Sequence, residues 1–338
     1  MKDQTTISLN TASLAIGYEK LVVLNDLNLQ LKKGELVCLM GQNGTGKSTL
    51  LRTISGVQRP LLGDVKIGGT LLHEMKIPDV ARKISLVLTE KPTSGNLSVF
   101  ELVSMGRYPY LGWNVKLSIS DKHIIESALE EINLVDLQDK KLYTLSDGQL
   151  QKVMIARALV QEGEIMILDE PTSHLDLNNR VEIMCLLRKL AKDRNKSILM
   201  ATHELDLALQ MADKLWLVNR NKTIAAKVPE DLVLNGSMDA VFGHKGFDLK
   251  TGRVAHEKTG KIIKLIGVGH GYWWTKNALE RKGYTVNDDG IIGVEVLEDK
   301  GKFSWTILKN GEDESTNTIE NLLNAIGIIF QESLPIRA

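Results

Sequence analysis

The sequence has little that would staple a small secreted domain or anchor a chain in lipid. Only two cysteines occur in 338 residues, Cys38 and Cys185. That is too few for a disulfide framework, and both read as small buried apolar residues. No run of 18 apolar residues exists, which excludes a membrane-spanning helix; the strongest apolar stretches, Leu36 to Met40 and Ile165 to Leu168, are of strand length. Met1 to Asn10 lacks the basic start and apolar core of an export signal, which predicts a chain that stays in the cytoplasm. Charge of one sign is also missing. The 42 basic residues balance 42 acidic ones, which argues against a general nucleic-acid binder, since such proteins carry a net basic footprint. Aromatic residues make up only 5%, and no internal repeat or low-complexity tract appears.

What is present is enough chain for about two domains. Residues 1–254 alternate strand-like apolar runs with helical patterns, the signature of an α/β domain with parallel strands and crossover helices. Within it, residues 96–162 read as a mostly helical insertion. Ser98 and Glu101 form a capping box ahead of Val99, Leu102 and Val103, and Ile124, Ile125, Ala128, Leu129 and Ile132 recur at helical spacing over residues 121–134. Thr251 to Gly260 is polar, contains glycine and has no periodicity; residues 255–260 are the expected linker to a second unit, 261–338.

The strongest chemical signal is Gly41-Gln-Asn-Gly-Thr-Gly46-Lys47-Ser48, a G-x-x-x-x-G-K-[ST] loop between a strand and a helix. Glycines let the backbone curl so that successive N–H groups and a helix N-terminus face one anion, Lys47 adds a mobile positive charge, and Ser48 offers a hydroxyl to Mg²⁺. The candidate contacts of a nucleotide here are Gly41, Asn43, Gly44, Gly46, Lys47, Ser48 and Thr49. A partner acid is expected at a strand end, and Ile165 to Leu168 runs into Asp169 and Glu170. Asp169 would hold the Mg²⁺ shell and Glu170 would polarise a water in line with the γ-phosphate. Two solvated acids at a strand end is the plain alternative.

These residues resemble the ATP-binding subunits of ABC transporters, over about Ser8 to Val254, which implies a P-loop cassette with a RecA-like core and a helical subdomain. Leu145-Ser146-Asp147-Gly148-Gln149 resembles the signature of that family, whose members use it to contact the γ-phosphate of ATP held by a second cassette. Ser146, Gly148 and Gln149 are then ATP contacts. Read without the family, Val153, Ala156, Leu159 and Val160 share one helix face, and Ser146 is equally an ordinary N-cap. The resemblance likewise makes Tyr18 the aromatic that stacks on adenine, His203 the switch histidine that reaches the γ-phosphate, and Ser173 to Asp176 the loop that crosses a cassette dimer. A partly buried tyrosine and a capping or core histidine are the alternatives. Two positions depart from the pattern. Asp147 replaces a glycine and adds a carboxylate near an expected phosphate, and Glu90 stands where a glutamine normally touches Mg²⁺, a ligand role that a carboxylate oxygen also fills.

Gly106-Arg-Tyr-Pro-Tyr-Leu-Gly-Trp113 resembles the stretch found in ATPases that energise import of iron-siderophore, haem or cobalamin, near the groove that receives a permease helix. As residues alone it is an aromatic, proline-broken loop, suited either to a partner or to packing inside the insertion. Only 97 residues separate Lys47 from Leu145, without heptads, which disfavours the coiled-coil chromosome proteins of the same superfamily. One phosphate loop and one signature imply a homodimer of cassettes that clamps two ATP. Such a dimer would be bound to two transmembrane permease subunits, and through them to an extracytoplasmic substrate-binding protein. Its expected place is peripheral, on the cytoplasmic face of the inner membrane, with no nucleic-acid partner. A soluble ABC ATPase on ribosomes or nucleic acid, or an ATP-sensing regulator, is the opposing reading.

From Lys261 the pattern reads strand (262–268), helix (273–282), strand (291–297), strand (303–308) and helix (318–329), a small α+β unit similar to a ferredoxin-like order lacking a last strand. Gly267-Val-Gly-His-Gly271 invites a nucleotide reading. Tyr272 occupies the place of the third fingerprint glycine and no acid ends the next strand, which favours a packing turn. Nine basic and eleven acidic residues from Lys261 onward offer no basic face, and one histidine without a cysteine makes no metal cage.

Overall fold

The computed structural model describes residues 6–19, 21–89, 96–113, 115–243, 247–248, 253–254, 256, 258–299, 301–309 and 313–332. Glu90 lies outside them. The chain divides into two compact units, Met1–Gly243 and His244–Ala338.

The first unit opens with β1 (Ile7–Tyr18), β2 (Leu21–Leu27) and β3 (Gln30–Lys32), followed by β4 (Leu36–Met40) and α1 (Lys47–Ile54). Next come β5 (Leu62–Ile67), β6 (Thr70–Leu71), α2 (Ile77–Lys83) and β7 (Ile84–Val87). The helical part holds α3 (Val99–Ser104), a 3₁₀ turn over Met105–Tyr110, α4 (Ile119–Glu131) and α5 (Asp147–Val160). The chain then alternates β8 (Ile165–Asp169), α6 (Leu177–Asp193), β9 (Ser197–Ala201), α7 (Leu205–Met211), β10 (Lys214–Val218) and β11 (Ile224–Lys227), and closes with α8 (Pro229–Leu234) and α9 (Ser237–Phe242).

Two sheets form. One runs β2-β1-β5-β6, with β3 also on β1; the other runs β11-β10-β4-β9-β8-β7. Strands β10, β4, β9, β8 and β7 pair in parallel, and β11 closes one edge antiparallel. Every residue of β4 is buried, as expected for a strand covered on both faces. Leu9, Leu14 and Ile16 of the first sheet share one core with Val37, Leu39, Leu199 and Trp216 of the second. In that core the Trp216 indole N–H has no hydrogen-bond acceptor among the described residues.

Local sequence sets the helix starts. Ser98 and Glu101 exchange both capping-box bonds, and Ser118 with Asp121 does the same. The second box starts α4 two residues ahead of the expected 121, and Asn133, at φ +57°, turns the chain out after Ile132. Register fixes the site: Leu39 of β4 and Asp169 of β8 both pair with Ala201 of β9, so three strands end side by side. The crevice outside the carboxyl ends of parallel strands is where α/β sheets bind ligands.

In the second unit a two-stranded piece, β12 (Phe247–Asp248) with β13 (Arg253–Val254), precedes β14 (Ile262–Ile266), α10 (Gly269–Arg281) and β15 (Thr285–Val286). β16 (Ile292–Asp299), β17 (Lys302–Leu308), β18 (Glu314–Thr316) and α11 (Ile319–Glu332) complete it. The sheet order is β15-β14-β16-β17-β18. This differs from the expected ferredoxin-like order, because β14 and β16 are direct parallel neighbours with no strand between them. The β16–β17 hairpin extends the sheet outward instead. The edge strands β15 and β18 were missed because two or three residues show no alternation. Gly267 and Gly271 meet Val296 and Phe303 so closely that a side chain would collide, which makes the glycine-rich turn a packing turn.

Candidate functional site

The site begins at a helix start that has no side-chain cap among the described residues. Gly46, the N-cap of α1, takes φ +99° and offers no side-chain acceptor, so the first amides of the helix are free for an anion. A Cβ at Gly46 would run into a methyl of Val23, and Gly44, at φ +75°, faces open space. Thr45 Oγ1 donates to Gln42 O at 2.8 Å and closes the loop on itself. The Lys47 ammonium lies across that loop, donating to Gly41 O at 3.0 Å and Gln42 O at 3.1 Å. Burial lowers the affinity of Lys47 for its proton, while Glu170 and Asp169 act the other way and favour its charged form. A buried ammonium held by two carbonyls, above uncapped amides, is a cradle for a polyphosphate. Gly41, Asn43, Gly44, Gly46, Lys47, Ser48 and Thr49 all belong to this loop and helix start.

The acids follow from the parallel register. Asp169 ends β8 and bonds the Ser48 hydroxyl; its proton affinity is raised by burial and by Glu170, with Ser48, Arg52 and Lys47 opposing. A carboxylate beside a helix-borne hydroxyl, starved of solvent, suits a hard divalent cation with oxygen ligands. Thr89 Oγ1 donates to the Asp169 carbonyl at 2.9 Å, which ties the end of the β7 segment to the same place. Glu170 sits at φ +50°, a left-handed conformation that few non-glycine residues adopt, and its N–H bonds Ala201 O at 3.0 Å. That turn aims its carboxylate at His203, whose Nε2 lies 2.8 Å from Glu170 Oε1. Lys47, Ser48, Asp169, Glu170 and His203 therefore lie together at the strand ends. Tyr18 stands half exposed with its hydroxyl 3.2 Å from Thr49 Oγ1, which leaves its ring face open beside the loop. Thr89, Gln42 and Arg52 were not singled out from sequence; Arg52 had a signal, one helical turn after Ser48.

The signature residues occupy another place. Ser146 caps α5, its Oγ accepting from Gln149 N at 3.2 Å while its own N–H donates to Gln149 Oε1 at 3.0 Å. Gly148 is pressed onto Asn179 of α6, where any side chain would collide. The described side-chain hydrogen bonds of Ser146 and Gln149 are those of this capping box. Asp176, in the loop expected at a dimer interface, caps α6 through Asn179 N at 2.8 Å.

The aromatic stretch divides. Gly106 packs on the backbone of Arg157, and Arg107 is buried, bonding Asp121 at 2.8 Å, Glu162 at 2.6 Å and Val160 O at 2.7 Å. Tyr110 stacks on Arg107, with the guanidinium carbon 4.1 Å from the ring centre. Tyr108 and Trp113 are exposed. Tyr108, Pro109, Leu72, Met75, Val80 and Arg157 help line a groove of about 1110 Å³. Gly106, Arg107 and Tyr110 are thus packed within the insertion, while Tyr108 and Trp113 are exposed.

Comparison with known proteins adds to this geometry. A family model described as ABC transporter matches residues 24–173, and one described as iron ABC transporter C-terminal domain matches residues 259–327. An uncharacterized ABC transporter ATP-binding protein of Methanocaldococcus jannaschii is 39% identical over 274 residues, 78% of this chain and 93% of its own. The iron(3+)-hydroxamate import ATP-binding protein of Bacillus subtilis is 38% identical over 217 residues, 64% of this chain and 81% of its own. The ferric enterobactin transport ATP-binding protein of Escherichia coli is 32% identical over 240 residues, covering 71% and 89%. Among solved structures, a transporter described as of metal-chelate type, inward-facing, superposes with a TM-score of 0.62 at 30% identity, over 70% of this chain and 89% of that one. A dimeric bacterial ABC transporter cassette superposes at 0.57 and 25% identity, over 65% and 98%.

Proposed function

The chain belongs to the ATP-binding, ATP-hydrolysing subunits of ABC transporters, and from that premise we propose that it energises import of an iron complex of the siderophore type. The observation that carries this is the convergence of Lys47, Ser48, Asp169, Glu170 and His203 on one crevice. The names of relatives that act in iron(3+)-hydroxamate and ferric enterobactin transport support the cargo class.

ATP supplies the phosphoanhydride; Ser48 and Asp169 would hold Mg²⁺, which would supply a charge that offsets the phosphates. The free amides of α1 orient the phosphates, and Lys47 exchanges its carbonyl partners for phosphate oxygens. Glu170, held in place by its strained turn and by Ala201 O, accepts a hydrogen bond from the attacking water; His203 holds that carboxylate in line. Ser146 and Gly148 start a helix without a phosphate ligand of its own, so each site is completed by the signature of a second copy. We place two cassettes on two permease subunits at the inner face of the membrane, with a permease helix in the groove lined by Tyr108 and Pro109.

Capture of the tagged chain from gently solubilised membranes should recover a multi-span permease, and deleting the gene should abolish uptake of radiolabelled ferric siderophore while sparing other cargo. Recovery with ribosomes or nucleic acid, or unchanged iron uptake, overturns the reading.

A further inference from the structure

The phosphate loop is fastened at a point that the assigned chemistry does not use. Gln42 follows the first glycine of the loop, and its side-chain Nε2 donates to Val241 O at 2.8 Å, across 199 residues of sequence. A carbonyl cannot donate, so the amide must present its nitrogen there. Val241 lies in the last turn of α9, the last helix of the first unit, which ends at Gly243.

Helix α9 has six residues, too few to persist as a helix in isolation. Its last carbonyls have no partner inside the helix and must find one elsewhere. Gly243 N serves Asp239 O at 2.7 Å, and the Gln42 amide serves Val241 O. Met238 and Val241 are buried, so the acceptor sits on a packed element, whereas Gln42, Asn43 and Gly44 form an exposed crest. It is the loop that gains order from the bond.

The backbone of Gln42 shows why that order matters. Its carbonyl accepts from Thr45 Oγ1 at 2.8 Å and from Lys47 Nζ at 3.1 Å. Lys47 gives up this carbonyl and that of Gly41 when it turns to phosphate, which removes two of the bonds that shape the loop. Gly44 and Gly46, both at positive φ, add backbone freedom. Among the described side-chain bonds of residues 41–46, the one to Val241 alone reaches outside the loop. It is the restraint that stays in place while Lys47 changes partners.

We infer that Gln42 is a positioning residue for ATP: by anchoring the phosphate loop to α9 it holds the loop in its binding shape. A loop ordered in advance costs less to bind, and by linkage ATP in turn strengthens the docking of α9. The inference rests on the proposed function in one respect, that this loop holds the phosphates of ATP, which Lys47→Ala tests on its own.

Gln42→Met keeps the length of the side chain and removes the donor, at an exposed position where folding is not at stake. In the full chain it should raise the Kd of ATP by calorimetry and the KM for ATP by about threefold to tenfold, the worth of one hydrogen bond, while kcat stays within about twofold. Hydrogen exchange supplies a readout that a purely local role in the loop would not move. ATP should slow exchange of the amides of residues 237–243 in the parent and leave them unchanged in Gln42→Met. Gln42→Arg, whose guanidinium donates to the same carbonyl, should restore that response. Without nucleotide, α9 should already exchange faster in Gln42→Met than in the parent; ATP retained by Lys47→Ala would overturn the site reading and leave this difference standing. Parent affinity and parent exchange in Gln42→Met overturn the inference, as does failure of Gln42→Arg to restore the response of α9. So would weakened ATP binding with that response intact, which would place the Gln42 amide on the nucleotide instead.

Discussion

Two helix N-termini in the same unit are proposed to contact phosphate, and they are built in opposite ways. The start of α1 at Gly46 has no side-chain cap and leaves its amides unpaired beside a buried ammonium. The start of α5 at Ser146 is closed by a complete capping box, in which Ser146 and Gln149 exchange both bonds. The first presents uncapped amides to an anion; the second is closed by its own side chains. Because the Ser146 oxygen accepts from Gln149 N, its hydroxyl proton remains free to be donated to a phosphate oxygen without loss of the cap. The contrast teaches that the α5 start satisfies its amides from its own side chains, whereas the α1 start has no side-chain cap although its loop and Lys47 are held by internal bonds.

Substitutions sharpen the contrast, beginning with the largest effect. Lys47→Ala removes the one ammonium of the cradle, and nucleotide binding should fall below detection by calorimetry with phosphate release lost; retained affinity would make the loop amides sufficient alone. Glu170→Gln keeps the shape but weakens the acceptor for water. Turnover should fall by roughly 10²- to 10³-fold while an ATP-bound dimer accumulates on size exclusion. If Glu170→Gln still hydrolysed at the parent rate, the water-positioning role would be wrong.

At the other helix the question is whether cap and phosphate contact separate. Ser146→Ala should cost about 1 kcal/mol in denaturant unfolding, the loss of an N-cap, and should also slow turnover. Ser146→Asp keeps an N-cap acceptor and should restore stability. It should not restore turnover, because a carboxylate donates no hydrogen bond and repels phosphate. ATP binding to the isolated monomer should be unchanged in both. Recovery of turnover in Ser146→Asp would reduce Ser146 to a cap.

The smallest effect lies behind the aromatic stretch. Hydrogen bonds from Ser118, aided by Arg107, hold the Asp121 carboxyl below its usual range against a desolvation cost. A depressed carboxyl stabilises the fold above its unfolded value, and that contribution disappears as pH falls through the folded one. Stability measured at pH 7 and again below pH 4 should therefore drop more in the parent than in Asp121→Asn. An equal drop would show that Asp121 is not the group that titrates.

Much of this was legible in residues. Leu36 to Met40 followed by the glycine loop and Lys47, and Ile165 to Leu168 followed by Asp169 and Glu170, are local patterns whose spacing survives folding. The capping box at Ser98 and the N-cap at Ser146 were equally local, since each closes within four residues, although the return bond of Gln149 to Ser146 was not read. Thr89 was not legible, because its bond to the Asp169 carbonyl spans 80 residues of sequence and depends on β7 lying beside β8. Nor was the order of the second sheet, where edge strands of two or three residues carry no period.

By itself the sequence determined which groups do chemistry: an ammonium, a hydroxyl, two carboxylates and an imidazole, each fixed by a side chain that no fold can alter. Only the tertiary structure decided that they meet. Parallel pairing of β4, β9 and β8 brings residues 47, 170 and 203 to one crevice, and a left-handed turn at Glu170 aims its carboxylate at His203. Side-chain chemistry is written residue by residue, whereas proximity comes from strand register, which is set by burial of the whole sheet.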